Sequence, residues 1–574
     1  MVDTVVGVFL AQVEDRGAAP FLHHWDAGAW KALGWDDCGT RVLRIGAGLV
    51  AAGVRAGEAV VILSDNRVEW ILSDLGIQAA GGVTVPIYST STRETIAKIV
   101  ANCEAKLAIT GTDKLAANLP EALKVVAMDD ELVNWMVAEP ASKAEVEMGR
   151  RLAELKASDV ASIIYTSGTT GDPKGVVLPH SNFVAMARAS LEDFALGPED
   201  TSLSFLPFSH VFERQSGVVI AILAGSEVWL SRGLDHLAED IAEVNPTVML
   251  GVPRMFEKIV DRVRETVRGQ PAWKRLLFDL ALAGRLGPLG NKILEPVRLR
   301  VGGRRLRFFV SGGSPLSKEV EAFFWALGIP IYNGWGMTET TSGAVANTPT
   351  AHRYGTVGRP LPGMEVKLAS DGELLVRGPG VMREYSHNPE ATRESLEDGW
   401  LRTGDIAEID DDGFIRITDR KKDLLKTSGG KFVAPQPIEA GLQGTRYIDS
   451  AILVGDGRPY VTALLVPKWD HLRVDLGVDG DPKDLVRDER VLAAVQNAVD
   501  EVNARLAHWE TVKYFRLLPR DFEESSGERT PSLKIKRAAI RRNYSGLIDE
   551  MYAQGGRARA GSAEHDRQGG LPPS

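Results

Sequence analysis

At 574 residues the chain exceeds what a single hydrophobic core supports, so two or more domains are expected. Its 67 basic against 77 acidic residues leave a formal net charge of −10, which argues against a broad nucleic-acid-binding surface, and the balance of 44% hydrophobic with 25% charged residues is that of a water-soluble globular protein. Two cysteines, Cys38 and Cys103, are too few for a disulfide framework or a cysteine metal site and point to a reducing compartment.

The first residues, MVDTVVGVFLAQVEDR, lack a basic leader and turn acidic after a short apolar run, so no secretory signal is expected. Apolar residues recur at helical spacing from Thr40 to Ala52, ahead of a turn and a strand at Val60–Leu63. Gly46, Gly48 and Ala51 match a loose dinucleotide fingerprint, but a true fingerprint follows a strand and these residues precede one. Asp65–Ala80, DNRVEWILSDLGIQAA, predicts a capped amphipathic helix, and VTVPIY the next strand. Helix and strand then alternate through KLAIT, KVVAM, SLSFLP, SEVWL, TVMLGVP and RLRFFVSGG, the pattern of an α/β domain. The longest apolar stretch, Val218–Leu230, carries Ser226 and Glu227 and falls short of the roughly 20 residues that span a bilayer.

Ile163–Pro179, IIYTSGTTGDPKGVVLP, reads as a strand, an exposed loop and a second strand. Its small residues let backbone amides approach a ligand, while hydroxyls and Lys174 add donors and a positive charge, a combination suited to a polyphosphate. It is not a Walker loop, because Pro173 and Gly175 stand where that pattern needs Gly and Ser or Thr. FFVSGGSPLS, from Phe308, gives a strand, a glycine turn with room for a flat ring, and a helix starting near Ser317. In Tyr332–Thr341, YNGWGMTETT, an aromatic between glycines can lie against a base and Glu339 can hold a hard cation. WLRTGD ends on Asp405, whose two carboxylate oxygens suit a vicinal diol.

Beyond Asp405 the composition shifts to short strands and turns, IAEID-DDG-FIRITDR, AILVG and YVTALLVP, then a long helical stretch around Asp488–His508. The charge-dense DRKKD at Asp419 marks a boundary, and Gly555–Ser574, rich in Gly, Arg, Ser and Pro, reads as a disordered tail. The fold class is therefore α/β, with an N-terminal domain over 1–419, a C-terminal α+β domain over 420–554 and a tail over 555–574.

YTSGTTGDPKG resembles the phosphate loop of the adenylate-forming (AMP-binding) superfamily of acyl-CoA synthetases, luciferases and peptide-synthetase adenylation domains, and FFVSGGSPLS, YNGWGMTETT, WLRTGD, DRKKDLLKTSGGK and RTPSLKIKR follow in the family's order. The resemblance implies the adenylate-forming enzyme fold, a large multi-layer α/β domain with a smaller mobile C-terminal one. It implies that Thr166, Ser167, Gly168, Thr169, Thr170 and Lys174 hold ATP phosphates, and that Gly313, Ser314 and Pro315 receive adenine. Trp335, in place of the family's usual Tyr, stacks on the base beside Gly336; Thr338 meets the α-phosphate, and Glu339 with Thr170 ligates Mg²⁺. Asp405 takes the ribose hydroxyls, Arg420 matches the ribose and phosphate contact, Lys422 the hinge, Gly429 the wall of the coenzyme A thiol channel, and Lys431 a position often held by Arg. The family's catalytic lysine, which usually follows Gly, is best matched by Lys534 after Leu533, with Lys536 as a second candidate.

LPFSHVFERQSG, from Leu206, together with TPSLKIKR and GGKFVAPQPIE, resembles the long-chain fatty acyl-CoA synthetase branch. There His210, Val211, Phe212, Gly312 and Gly334 border the acyl pocket, with His210 read as a packing residue. The expected reaction joins a fatty acid to ATP, releasing pyrophosphate, and passes the acyl group to coenzyme A. A fatty acyl-AMP ligase serving a carrier protein and an inactive nucleotide- or lipid-binding regulator are the alternatives. The partners are then fatty acid, ATP and coenzyme A, with no nucleic acid, in the cytoplasm or peripherally at the inner membrane face; chain length and oligomeric state stay open.

Overall fold

The computed structural model describes residues 3–139, 142–166, 172–523, 525–529 and 535–562, with side chains described to Ala553. The chain divides into two compact units: residues up to Thr403 together with Glu408–Ile417, and Gly404–Ala407 together with the residues from Thr418 onward. Strands Trp400–Ile409 and Ile415–Arg420 thus contribute residues to both units.

Among the described residues, the first unit holds two large sheets. One runs in the spatial order Glu384–Tyr385, Lys174–Pro179, Val160–Thr166, Val83–Ile87, Ala59–Leu63, Leu107–Thr110, Lys124–Ala127. Its strands from Ala59 to Ala127 are parallel, whereas Lys174–Pro179 pairs antiparallel on both sides. Parallel strands covered on both faces read as unbroken apolar runs, and AVVIL shows why. Val60 and Ile62 enter the core beneath helices Trp35–Ala51 and Val68–Ala79, and Val61 and Leu63 enter the core on the opposite face. The second sheet runs Arg359–Pro360, Ser342–Ala346, Ile331–Met337, Phe308–Ser311, Val248–Gly251, Thr201–Ser204, Glu227–Leu230, Pro20–Asp26, Ala29–Gly34.

The expected helix at Asp65–Ala80 is shorter, Val68–Ala79, and is neither capped by a side chain nor amphipathic: of its residues only Glu69 is not buried. Asn66, just ahead of it, donates to the Leu206 carbonyl (2.6 Å) and accepts from Phe208 N (2.9 Å). Burial on all sides follows from close packing on helix Trp35–Ala51, where a Cβ at Gly76 would lie 2.5 Å from Ile45. Gly46 and Gly48 lie inside that second helix, and a Cβ at Gly48 would meet the Trp135 ring at 2.5 Å. Packing, not cofactor binding, accounts for them.

Asp74, buried in the Val68–Ala79 helix, needs a counter-charge there. Arg214, 1% exposed, supplies it: Nε donates to Asp74 Oδ2 at 2.9 Å, a second nitrogen reaches Asp74 Oδ1, and a third reaches Ser162 on Val160–Thr166. One guanidinium therefore ties a helix and a strand to the segment after Thr201–Ser204. That segment, Phe212–Val219, is wound as a π-helix, an arrangement frequent at functional sites.

The second unit packs a three-stranded sheet, Ile448–Val454, Val461–Pro467 and Val512–Leu517, between two apolar clusters. Alternate residues divide between them: Ala463 and Leu465 face helix Glu489–Asn503, and Leu464 and Val466 face Ile540, Ile548 and Met551. The final helix spans Ser545–Ser562, so helix continues past Gly555, where composition alone suggests a disordered tail; its Arg and Ala residues are good helix formers. Residues 563–574 lie outside the described residues.

Arg214→Met should leave Asp74 buried without its counter-charge, held among the described residues only by the Gln78 amide at 3.0 Å, and cost about 3–5 kcal/mol, whereas Asp74→Leu with Arg214→Met should recover most of it. Chemical denaturation followed by tryptophan fluorescence reads both; a single variant as stable as the parent would contradict the clamp.

Candidate active site

The phosphate hairpin is formed by Val160–Thr166 and Lys174–Pro179, with Thr166 opposite Lys174 and Tyr165 opposite Gly175. A Cβ at Gly175 would come within 2.8 Å of both Ile163 and Tyr165, which explains the glycine after the lysine. The tip, including Ser167, Gly168, Thr169 and Thr170, lies outside the described residues. Thr166 and Lys174 hold its two ends, half-buried.

Strand Glu384–Tyr385 pairs with the hairpin's outer edge, Glu384 opposite Val177 and Tyr385 opposite Val176. The Tyr385 hydroxyl donates to Glu339 Oε1 at 2.8 Å, and Lys174 Nζ sits 5.2 Å from the centre of its ring. Burial and the adjacent Glu339 carboxylate push the Tyr385 phenol up, so it stays protonated and donates. Met382 N also donates to the Glu339 carbonyl at 2.8 Å. Lys174 and Glu339, far apart in sequence, thus meet through a tyrosine that no motif marked. A two-residue strand within VMREYSHNPE has no periodicity to reveal it.

Trp335, Gly336, Thr338 and Glu339 sit where strand Ile331–Met337 passes into a 3₁₀ turn at Thr338–Thr340. A Cβ at Gly336 would fall 1.7 Å from the Ser342 carbonyl oxygen, so no other residue fits that bulge. Glu339 is 7% exposed, while Trp335, Gly336 and Thr338 remain half-exposed. Strand Phe308–Ser311 lies parallel beside it, Ser311 opposite Asn333, and leads into exposed Gly313, Ser314 and Pro315. Gly313 has φ +86°, which suits glycine alone. Two loops therefore leave the same, C-terminal edge of adjacent parallel strands, the edge where open α/β sheets bind ligands.

The residues expected at an acyl pocket cluster here as well. A Cβ at Gly312 would lie 3.0 Å from the Phe212 ring, while Gly312 N donates to the Gly251 carbonyl at 3.3 Å. Val211 is buried, and Gly334 faces the Ser342–Ala346 strand opposite Ala346. The His210 ring accepts from Phe212 N through Nδ1 at 3.1 Å, so it shapes the start of the π-helix. Sequence reasoning also missed Glu213, wholly buried with its carboxyl held by the Ser204 hydroxyl; burial pushes it up to about 8.

In the second unit, Asp405 is 2% exposed and meets Arg420 Nε at 3.0 Å, so two residues singled out from separate motifs are neighbours. Lys421 N donates to the Gly404 carbonyl at 2.8 Å. Lys422 is exposed. Gly429 lies in the exposed turn of hairpin Leu425–Lys426 and Phe432–Val433, where among the described residues a Cβ would find only the Thr427 hydroxyl within 4 Å, and Lys431 Nζ lies 5.2 Å from the Trp509 ring. Lys534 lies outside the described residues. The flanking Arg529 and Ile535 form a bridge, and Lys536 N donates to the carbonyl of Glu528, whose buried carboxylate takes two bonds from Arg520.

Among the described residues no cluster of three or more His, Cys, Asp and Glu could cage a metal ion. A single carboxylate nevertheless fits Mg²⁺, which usually takes one or two protein carboxylates together with substrate phosphates and waters. Among the described residues Tyr385 takes only Oε1 of Glu339, so one carboxylate oxygen is left for a cation.

Residues 9–386 match the family model of the AMP-binding enzymes, and residues 422–556 that of the AMP-binding enzyme C-terminal domain. The chain is 34% identical over 562 residues to the long-chain-fatty-acid–CoA ligase FadD15 of Mycobacterium bovis, covering 92% of this chain and 93% of that one. It is 30% identical over 578 residues to the peroxisomal long chain acyl-CoA synthetase 7 of Arabidopsis thaliana, covering 92% and 82%. The crystal structure of ATP-bound MatB from Rhodopseudomonas palustris superposes with a TM-score of 0.74 over 95% of this chain and 100% of that one, at 23% identity, a likeness of fold.

Glu213 provides a pH test of the buried pocket base. Its folded-state pKa of about 8 exceeds the ordinary carboxyl value, so the stability it contributes is present at low pH and lost as pH rises towards 8. Thermal unfolding of the parent should therefore weaken between pH 5 and pH 8 relative to Glu213→Gln, which cannot ionise. Parallel curves for the two proteins would show that Glu213 is ionised in the fold.

Proposed function

The chain belongs to the AMP-binding enzyme family, and from that membership we propose that it is an AMP-forming acid–thiol ligase that activates long-chain fatty acids as acyl-AMP and transfers them to coenzyme A. The observation that carries the site assignment is the Tyr385–Glu339 contact beside the phosphate hairpin. It fixes one acidic oxygen through a tyrosine that also lies beside Lys174 of the hairpin, an acid and a base brought together as a metal-bound polyphosphate requires.

In this reading Thr166, Lys174 and the loop between them hold the ATP phosphates, and Thr338 donates to the α-phosphate. Glu339, oriented by Tyr385, would hold Mg²⁺, which when bound neutralises phosphate charge. The exposed turn at Gly313–Pro315 and the Trp335 ring bracket adenine. Asp405 accepts from the ribose hydroxyls, with Arg420 beside it and Lys431 as a further cation. The fatty acid enters beside Phe212 and the small residues Gly312 and Gly334; apolar walls there favour an aliphatic tail over the ammonium group of an amino acid.

The carboxylate attacks the α-phosphorus, the bond to pyrophosphate breaks, and Lys534 places a positive charge against the developing anion. Coenzyme A thiol then attacks the acyl carbon, the bond to AMP breaks, and the thiol proton leaves. Residues 420–554, pivoting at Lys422, serve as the mobile domain that exchanges Lys534 for the Gly429 turn between the two steps. No described helix is long and apolar enough to cross a membrane, and in this reading any contact with the bilayer that dissolves the substrate is peripheral.

Single-turnover measurements test these roles. Glu339→Gln should suppress pyrophosphate release yet still thiolate acyl-AMP supplied ready-made, and Tyr385→Phe should raise the Mg²⁺ requirement about 10–100-fold. Lys534→Ala should slow acyl-AMP formation by about 10²–10³, whereas Gly429→Leu should spare it and block transfer to coenzyme A. Normal adenylation by Lys534→Ala with failure of Lys536→Ala would move the catalytic lysine two residues on.

A further inference from the structure

The crossover between the parallel strands Val248–Gly251 and Phe308–Ser311 is far longer than their pairing needs. About a dozen residues, usually one helix, suffice for such a connection. Here three helices, Pro253–Arg268, Ala272–Leu282 and Gly287–Gly302, occupy it. Their inner faces pack well: Phe256, Phe278, Ala281, Leu294 and Val301 join the core that also buries Phe309 and Phe324.

The outer face of the last two helices is different. Trp273 and Leu276 are each 60% exposed, and Leu289 is 57% exposed. Trp273 and Leu276 lie one turn apart on the same side of their helix, with Lys274 and Arg275 alongside and exposed. Arg285 is exposed in the turn, and exposed Lys292 follows Leu289 by one helical turn. Between residues 268 and 305 nine Lys or Arg stand against Asp279 and Glu295, a net of +7 within a chain of net −10. Among the described residues no carboxylate pairs with Lys274, Arg275, Arg285 or Lys292. Lys274 instead lies 5.6 Å from the Trp273 ring centre.

We propose that the outer face of the helical hairpin Ala272–Gly302 docks on an anionic phospholipid surface. Its charge is opposite to that of the lipid headgroups and to that of the rest of the protein. Trp prefers the boundary between headgroup and hydrocarbon, and exposed Leu beside it gains burial there, while basic residues are drawn to anionic lipid within a Debye length. A nucleic acid would use the charge but not the Trp–Leu stripe. The purpose of the docking rests on the fatty-acid reading above: the same crossover ends in strand Phe308–Ser311 and Gly312, so the lipid-facing hairpin and the acyl pocket belong to one continuous segment.

The test is co-sedimentation of the full chain with vesicles of phosphatidylcholine alone and of phosphatidylcholine containing one part in four phosphatidylglycerol. The parent should bind the anionic vesicles at least about tenfold more tightly and be released by salt. Lys274→Glu with Arg275→Glu, Arg285→Glu and Lys292→Glu should abolish that preference, and Trp273→Ser with Leu276→Ser and Leu289→Ser should weaken binding about tenfold. Both variants should form acyl-AMP from octanoate, free in solution, at the parent rate, which also reports that they fold. A parent that ignores anionic vesicles, or variants that bind as it does, overturns the proposal. Loss of vesicle binding to competing duplex DNA, with the Trp–Leu variant unaffected, overturns it in favour of a polyanion site. An enzyme that binds vesicles but activates no fatty acid refutes the substrate reading and leaves the surface standing.

Discussion

A buried carboxylate beside a polyphosphate site has to be aimed, because its desolvation is costly and a displaced oxygen cannot share a cation with the phosphates. In this protein that constraint falls on Glu339. Its side chain is fixed by the Tyr385 hydroxyl and its carbonyl by Met382 N, and the short strand bearing Tyr385 is itself paired to the hairpin that carries Thr166 and Lys174. Any movement of the hairpin would be transmitted to the carboxylate through two backbone pairs and one phenol. The parts of the proposed phosphate site are therefore coupled by ordinary sheet hydrogen bonds.

Steric room is created by the same logic. Gly175 lets Tyr165 and Ile163 close over the hairpin, Gly336 admits the Ser342 carbonyl, and Gly312 leaves the Phe212 ring against bare backbone. Each marks a place where two elements approach more closely than a Cβ allows. The clamp of Arg214 on Asp74 and Ser162 stands just behind, so the π-helix that brings Phe212 to Gly312 is anchored to both a helix and a strand of the other sheet. In the second unit, Asp405 and Arg420 form a comparable preset pair.

The legible parts of the fold and site are those whose determinants lie close together in the chain. The hairpin, the glycine turn after Ser311 and the strand-to-turn passage at Trp335–Glu339 each carry their geometry in ten or so consecutive residues. Tyr385 does not: it acts on Glu339 across 46 positions. Arg214 and Asp74 are 140 apart, and nothing local to either announces a buried partner. The helix at Val68–Ala79 departs from its expected character for the same reason, since an amphipathic reading presumes a solvent face and this helix is enclosed by another helix and by its own sheet. The exposed Trp273 and Leu276 illustrate the converse, because apolar spacing along Ala272–Leu282 cannot say which residues the core leaves out.

In the proposed reaction the carboxylic acid attacks the α-phosphorus of ATP before any thiol is involved. Exchange of labelled pyrophosphate into ATP, measured without coenzyme A, tests this most directly. Exchange should depend on both a long-chain fatty acid and Mg²⁺, with AMP as the nucleotide product once coenzyme A is added. Exchange that requires coenzyme A, or formation of ADP and phosphate in its place, would contradict it.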